Sequence, residues 1–539
     1  MIRNRCASFL GGAFVATALA ATCVPASAAE PALLTAARNQ DRAGVVSLLA
    51  EGSDVNGPGP DGVTALHFAA EQDDLELAAI LLQAGARTNA ATRTNITPLS
   101  LAAQNGSAAM LELFLEQGAD PNERSAEGQT AVMLAARNGR PEAIALLIEH
   151  GADLNVTEPF RGQTALMWAA GEGNAAAVAL LLEHGATIDS KSTAGFTPLL
   201  FAVRNAELET LRVLLEHGAN ADAVGPDGTS ALNMAVVNAY YEVASLLLAH
   251  GANPNLPDPR GSPLHTLAWL RKPGATGQAA VGAEAEAPPR PSGRVTSLEL
   301  AQQLLAAGAN PNVRIDWQEQ RFDVGGAVST NPPDISLGRH LVTYNGASAF
   351  YIAAKNGDAA LMRILAGGGA DPTLPNRFGV TPLMVAAGLD TWEGETPGPH
   401  VGVSEAERLE AVKLAVELGN DVNARADFGD YPMIGEPAYT LIYYPLNIKD
   451  LVDLGVGDPR WDDCTALHGS IIANQPSITQ YLIDQGADVD ARNSLGWTPL
   501  MMSRGIFLAN ASREFPAAEA ILLQAMRERG LTADEGPRQ

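Results

Sequence analysis

The residues with the greatest chemical reach in this 539-residue chain are its nine histidines, because imidazole ligates metals and moves protons near neutral pH. Either chemistry needs several such groups to converge on one point. Their spacing argues against that. His67, His265 and His468 each end a string of one type: TALH, SPLH, TALH. His150, His184, His217 and His250 each directly precede a glycine that closes a leucine-rich string. Only His340 and His400 stand outside these recurring contexts, on separate stretches. The aspartates also recur, as GADxN, rather than pairing as acid and base. Met133, Met167, Met384 and Met501 fall at the histidine position of their strings and read as packing. No GxSxG, HExxH, phosphate-loop or dinucleotide fingerprint opens a strand–helix unit. The expectation is no catalytic residue, no cofactor and no metal site.

The elements that carry these residues repeat. LLAEGSDVN, LLQAGARTN, FLEQGADPN, LIEHGADLN, LLEHGATID, LLEHGANAD and LLAHGANPN place glycines at 52, 85, 118, 151, 185, 218 and 251. The steps between them are 33, 33, 33, 34, 33 and 33 residues. Upstream of most lies a second string: TALHFAA, TPLSLAA, TAVMLAA, TALMWAA, TPLLFAV, SALNMAV. Thr97 can cap a helix whose first position is Pro98, where the missing N–H costs nothing. Ala102 and Ala103 let that helix lie close to its neighbours. PEAIALLIEH (141–150) has the apolar spacing of a second helix, ended by Gly151 in a left-handed conformation. A unit this small cannot bury its own apolar face, so stability must come from stacking.

These strings resemble the ankyrin repeat family, and the resemblance covers nearly the whole chain after its first residues. It implies an all-α solenoid of about thirteen helix-turn-helix units with projecting hairpin fingers, and it implies little about function. LLTAARNQ and AEAILLQAMRERG read as the two caps. The next equivalent glycines, Gly308, Gly369, Gly419, Gly455 and Gly486, follow at steps of 57, 61, 50, 36 and 31 residues. The 36-residue step holds YPMIGEPAYTLIYYPLNIKDLVDLG, read as a degenerate repeat. Residues 29–263 are expected as regular repeats, 264–530 as repeats with three insertions, and 531–539 as a tail, all in one continuous stack.

Of the insertions, 272–293 is rich in Pro, Gly and Ala and reads as a flexible linker. Residues 312–346 contain VRIDW, which alternates like a short strand, and Trp317, Phe322 and Tyr344, so an ordered finger is expected. Residues 388–404 hold Trp392 among Gly, Pro and acids. Ser404 and Glu407 then form a capping box that restarts the helix. This stretch reads as a recognition or covering loop. It resembles a loop of exported bacterial ankyrin proteins, in which the next unit likewise reads EAVKLxxELGxDVN and is followed by TALHG and GWTPL. That resemblance implies an interaction module, associated in some cases with exported redox proteins.

The chain begins with the features of a secretory signal: Arg3 and Arg5, an apolar run from Phe9 to Ala21, and Ala26-Ser27-Ala28 as a cleavage site. The expected location is periplasmic or secreted. Thr22 before Cys23 fits a lipoprotein box poorly, so no lipid anchor and no transmembrane span are expected. Cleavage removes Cys6 and Cys23 and leaves Cys464 as a lone, packed thiol. With 35 basic and 61 acidic residues the net charge is −26. That argues against a nucleic-acid or anionic-membrane surface and slightly favours a basic partner.

Function should then lie on the concave surface of the stack. Phe160, Arg161, Phe196, Arg204 and Tyr240 are the partner-binding candidates on the regular repeats, with Trp317 and Trp392 on the insertions. Arg137, Arg204 and Lys355 share one repeat position and read as a solvated face. Trp168 reads as core. Three readings stay open: a monomeric, noncatalytic protein-binding scaffold modulating a periplasmic enzyme or redox protein; a small-ligand binder with a pocket under 312–346 and 388–408; and an enzyme using that pocket.

Overall fold

A computed structural model describes residues 31–258, 261–271, 293–316, 346–389, 403–427, 462–494, 496–505 and 514–533. Twenty-four α-helices and no β-strand occur among them. The helices form twelve consecutive pairs, a short first helix and an antiparallel second one, as in Pro98–Asn105 with Ala108–Glu116. Within each compact unit, first helices pack on first helices of neighbouring pairs, and most second helices on second helices. None is long and apolar enough to cross a membrane.

Local chemistry accounts for each pair. The hydroxyls of Thr97, Thr164, Thr197, Thr381 and Thr498 accept from the third backbone N–H of their helices at 3.2–3.3 Å. Pro98, Pro198, Pro382 and Pro499 take the first helical position. Ala69, Ala70, Ala102, Ala103, Ala135, Ala136, Ala169 and Ala170 are fully buried, which brings neighbouring first helices into close contact. Gly151 (φ +85°) ends its second helix in the left-handed region, yet a Cβ there would touch nothing within 4 Å. The glycine is therefore demanded by backbone conformation and not by space.

Asparagines stitch one finger to the next. Asn122 donates to Gly151 O (3.0 Å) and accepts from Asp153 N (2.7 Å); Asn155 treats Gly185 and Thr187 alike, at 3.3 and 2.8 Å. The same two bonds run from Asn255 to Gly308 and Asn310, and from Asn312 to Gly369 and Asp371. The stitching thus crosses two of the expected insertions without losing register.

It also joins the pairs on either side of 428–461. Asn423 donates to Gly486 O (3.2 Å) and accepts from Asp488 N (2.8 Å). Helices Pro382–Ala387 and Glu405–Glu417 pack directly on Ala466–Ile472 and Pro476–Asp484. The two pairs are therefore neighbours in the stack, and the degenerate repeat expected between them, at 428–461, lies outside the described residues.

At Ile315, VRIDW pairs with the returning chain through Ile315 N–H to Ala347 O (2.9 Å) and Gly346 N–H to Ile315 O (2.8 Å), without forming a strand. The Ser404–Glu407 capping box is present as expected. The chain divides into two compact units, Met1–Pro226 and Asp227–Gln539. Each contributes six of the described helix pairs.

Candidate functional site: an aromatic–arginine groove

Within the first unit, helices Ala131–Arg137, Ala165–Gly171 and Pro198–Asn205 lie side by side, and a groove of about 440 Å³ opens on them. That volume is within the range of sites that hold a ligand or a few peptide residues. Trp168 and Phe201, one turn before the ends of adjacent first helices, line it. Phe160 and Arg161 reach it from the finger above.

That finger is built by Glu158. The step from Gly151 to Gly185 is the one 34-residue step among the regular repeats, and the extra residue lies in EPFRGQ, before Gly162. Glu158 is buried, and its carboxylate accepts from the backbone N–H groups of Phe160 (2.7 Å), Arg161 (2.9 Å) and Gln163 (3.1 Å). Three such bonds hold the carboxylate in the turn and fix the tip. Phe160 is left 73 % exposed, more than any other large apolar side chain among the described residues. Arg161 O accepts from Thr193 N–H at 2.8 Å, which ties the finger to its neighbour.

Arginines lie over the aromatic faces. The Arg137 guanidinium carbon is 5.7 Å from the Trp168 ring centre; that of Arg204 is 5.5 Å from Phe196 and 5.0 Å from Phe201. Phe196 and Phe201 are themselves 5.7 Å apart and tilted by 46°. Such contacts contribute roughly 0.5–1 kcal/mol each at exposed sites. At one edge, burial and then the nearby Glu172 carboxylate raise the pKa of Glu207.

The structure therefore brings Phe160, Arg161, Phe196 and Arg204 together, and adds Arg137 and Trp168. Trp168 is half-buried on the groove, not core, because its ring faces Arg137 instead of a second apolar layer. Tyr240 does not join them. It caps the start of helix Tyr241–Ala249 and is only 6 % exposed, so the side chain is used in packing. Lys355, expected on a solvated face with Arg137 and Arg204, is likewise buried. Trp317, Trp392, His340 and His400 lie outside the described residues, as do most of the 312–346 and 388–408 segments proposed to roof a pocket. Sequence reasoning missed Gly171. It stands where the neighbouring first helices carry Arg137 and Arg204, and the AAR/AAG/AVR alignment was the signal that could have found it.

The recurring histidines have structural duties. In His67, His265 and His468, Nδ1 accepts from the backbone N–H of the helix-capping residue at 3.1 Å, and Nε2–H donates to a carbonyl of the next finger at 3.0–3.3 Å. Burial pushes the pKa of His265 and of His468 down to about 4, and lowers that of His67. These imidazoles are neutral links between units. His150, His184, His217 and His250 are exposed helix caps; His217 Nδ1 bonds Val213 O at 2.8 Å.

Comparison with known families now adds the decisive observation. A family model described as ankyrin repeats (3 copies) matches residues 33–125, 99–192 and 188–258, and one described as ankyrin repeat matches 462–494. Residues 33–258 and 462–494 are ankyrin repeats. No curated protein matches the chain. Ankyrin repeats are protein–protein interaction scaffolds, and in this ankyrin stack the groove around Gly171 is where aromatic and arginine side chains, the types enriched at protein interfaces, gather on a described surface.

Proposed function

We propose that this protein is an exported, noncatalytic scaffold that binds another protein through the groove of its first unit, with an envelope enzyme or redox protein as the partner it modulates. The observation that carries the binding surface is Phe160, held out on a finger one residue longer than its neighbours, beside Trp168 and three arginines. Interface energy concentrates in a few aromatic and arginine anchors ringed by less important contacts. A rigid tip raises affinity because less freedom is lost on binding. Export is supported by Arg3, Arg5, the apolar run to Ala21 and the Ala26-Ser27-Ala28 site.

A photo-crosslinking amino acid placed at Phe160, and at Val46 as a control that is also exposed, tests the reading in cells. The expected result is a discrete adduct from position 160 only, recovered with the envelope fraction on a chain that begins at Ala29. Equal labelling from both positions, or none from either, counts against the groove as the binding surface.

A further inference from the structure

We infer that the groove recognises one kind of partner segment: an extended peptide that inserts an aromatic side chain at Gly171 and presents an acidic side chain to Arg137. The inference rests on the scaffold reading above and specifies the partner of that same surface.

Gly171 is the key to the shape. In two first helices of this unit the residue at this repeat position lays its side chain over an aromatic ring of the next helix, Arg38 over Phe68 at 4.9 Å and Arg137 over Trp168 at 5.7 Å, whereas Glu71 and Gln104 are followed by Leu101 and Leu134. The next member of that series is Gly171, which faces Phe201. A Cβ built there would make only ordinary contact, 3.8 Å to Phe201 Cδ1 and 3.9 Å to its Cβ. Gly171 therefore leaves an opening where Arg38 and Arg137 place a cover in their own pairs, with Trp168 on one side and Phe201, already met by Arg204 from its own helix, on the other. An aromatic side chain from a partner fills the place of the missing cover and gains offset contacts with both rings.

Charge sets the neighbour of that aromatic residue. No carboxylate among the described residues pairs with Arg137, whose recorded contact is the Trp168 face. A guanidinium stacked in this way keeps its N–H edge available for a carboxylate in the same plane. Of the groove's three carboxylates, Glu158 is spent on three backbone N–H groups, Glu127 accepts from Gln129 at 2.8 Å, and Glu172 lies at the edge near Glu207. The local chemistry thus runs against the net charge of −26, and it selects an acidic–aromatic segment over a basic one.

The test uses the full chain without its signal and fluorescein-labelled peptides read by anisotropy: Asp-Glu-Phe-Asp-Glu, its Lys-Arg-Phe-Lys-Arg counterpart, and Asp-Glu-Ala-Asp-Glu. The acidic phenylalanine peptide should bind at least tenfold more tightly than either of the others. Arg137→Gln should weaken it about tenfold. Gly171→Leu, which the ordinary Cβ contacts allow without refolding, should abolish it while the circular dichroism melt stays unchanged. An Arg363→Gln control, on an exposed cation of the second unit, should leave binding unaltered. Stronger binding of the basic peptide, or no difference between Gly171→Leu and wild type, overturns the inference; so does a peptide titration flat to millimolar concentration. Crosslinking from position 160 separates the two claims. An adduct that survives Gly171→Leu keeps the scaffold and removes this specificity, whereas loss of all adducts in wild type removes the scaffold itself.

Discussion

At the scale of single residues, the histidines show how the same side chain can look catalytic in sequence and be structural in place. His265 and His468 are wholly buried and neutral, with folded pKa values near 4 against an ordinary value of 6.5. As pH falls through 6.5 the unfolded chain takes up protons that the folded chain refuses, so stability is complete above that value and is lost progressively between 6.5 and 4. Between pH 7 and pH 5 each histidine should cost about 2 kcal/mol of stability. Urea midpoints measured at both pH values, for wild type and for His468→Gln, check this. The variant should lose a clear part of the pH slope; an identical slope in both proteins contradicts the assignment. Arg408 is the opposite case. It is a buried guanidinium whose Nη1 makes one long bond among the described residues, 3.4 Å to Ala386 O at the end of helix Pro382–Ala387, and desolvation lowers its pKa to about 10.

At the scale of elements, the stack is indifferent to what is inserted between its helices because the bonds that hold register lie at the base of each insertion. Across 428–461, Ala426 N–H donates to Cys464 O at 3.0 Å and Asp463 N–H to Ala426 O at 2.9 Å. Replacing 428–461 by a short Gly-Ser linker should therefore leave the melting transition intact and change stability by under about 1 kcal/mol, since closure entropy varies slowly with loop length. Loss of the cooperative transition would show that the segment is part of the stack. The 272–293 insertion is spanned by a side-chain link instead. Arg271 and Asp358 meet through two bonds, Nε–Oδ2 at 2.5 Å and Nη2–Oδ1 at 3.1 Å, with the Asp358 side chain almost wholly buried. Asp358 also caps helix Ala359–Gly367 through Leu361 N–H. Asp358→Asn leaves the arginine without its counter-charge and should destabilise the second unit by about 3–5 kcal/mol, read from its denaturant midpoint.

At the scale of the molecule, a long array of repeats is a sum of local units and nearest-neighbour interfaces rather than one core. Unfolding as a single two-state step is not expected for such an array. Trp168 is the only tryptophan in Met1–Pro226, so the fluorescence lost in Trp168→Phe reports on the first unit by itself. Its urea midpoint should differ from that of the far-UV circular dichroism, which reports all the helices; coincident midpoints would indicate that the two units unfold as one. An acidic chain of net charge −26 that concentrates arginine and aromatic side chains in one groove also places its selectivity there and not in its average charge.

What the amino-acid sequence determined by itself was everything carried by short-range chemistry. Thr97-Pro98 starts a helix, Ala102 and Ala103 thin its face, and Gly151 ends the second helix of its pair. Each is a contact or a backbone preference within a few residues, so each is readable in order along the chain. The extra residue in EPFRGQ was also readable, as the one 34-residue step, although its consequence for Phe160 was not. Only the tertiary structure decided which unit follows which at Gly419, because register is set by Asn423 reaching Gly486 across 63 residues. The same holds for the fates of residues sharing one repeat position: Arg137 on the groove, Lys355 buried, Gly171 leaving a gap. A repeat position specifies where a side chain starts. What that side chain meets depends on the neighbouring unit, and in a stacked fold the neighbour supplies most of the surroundings.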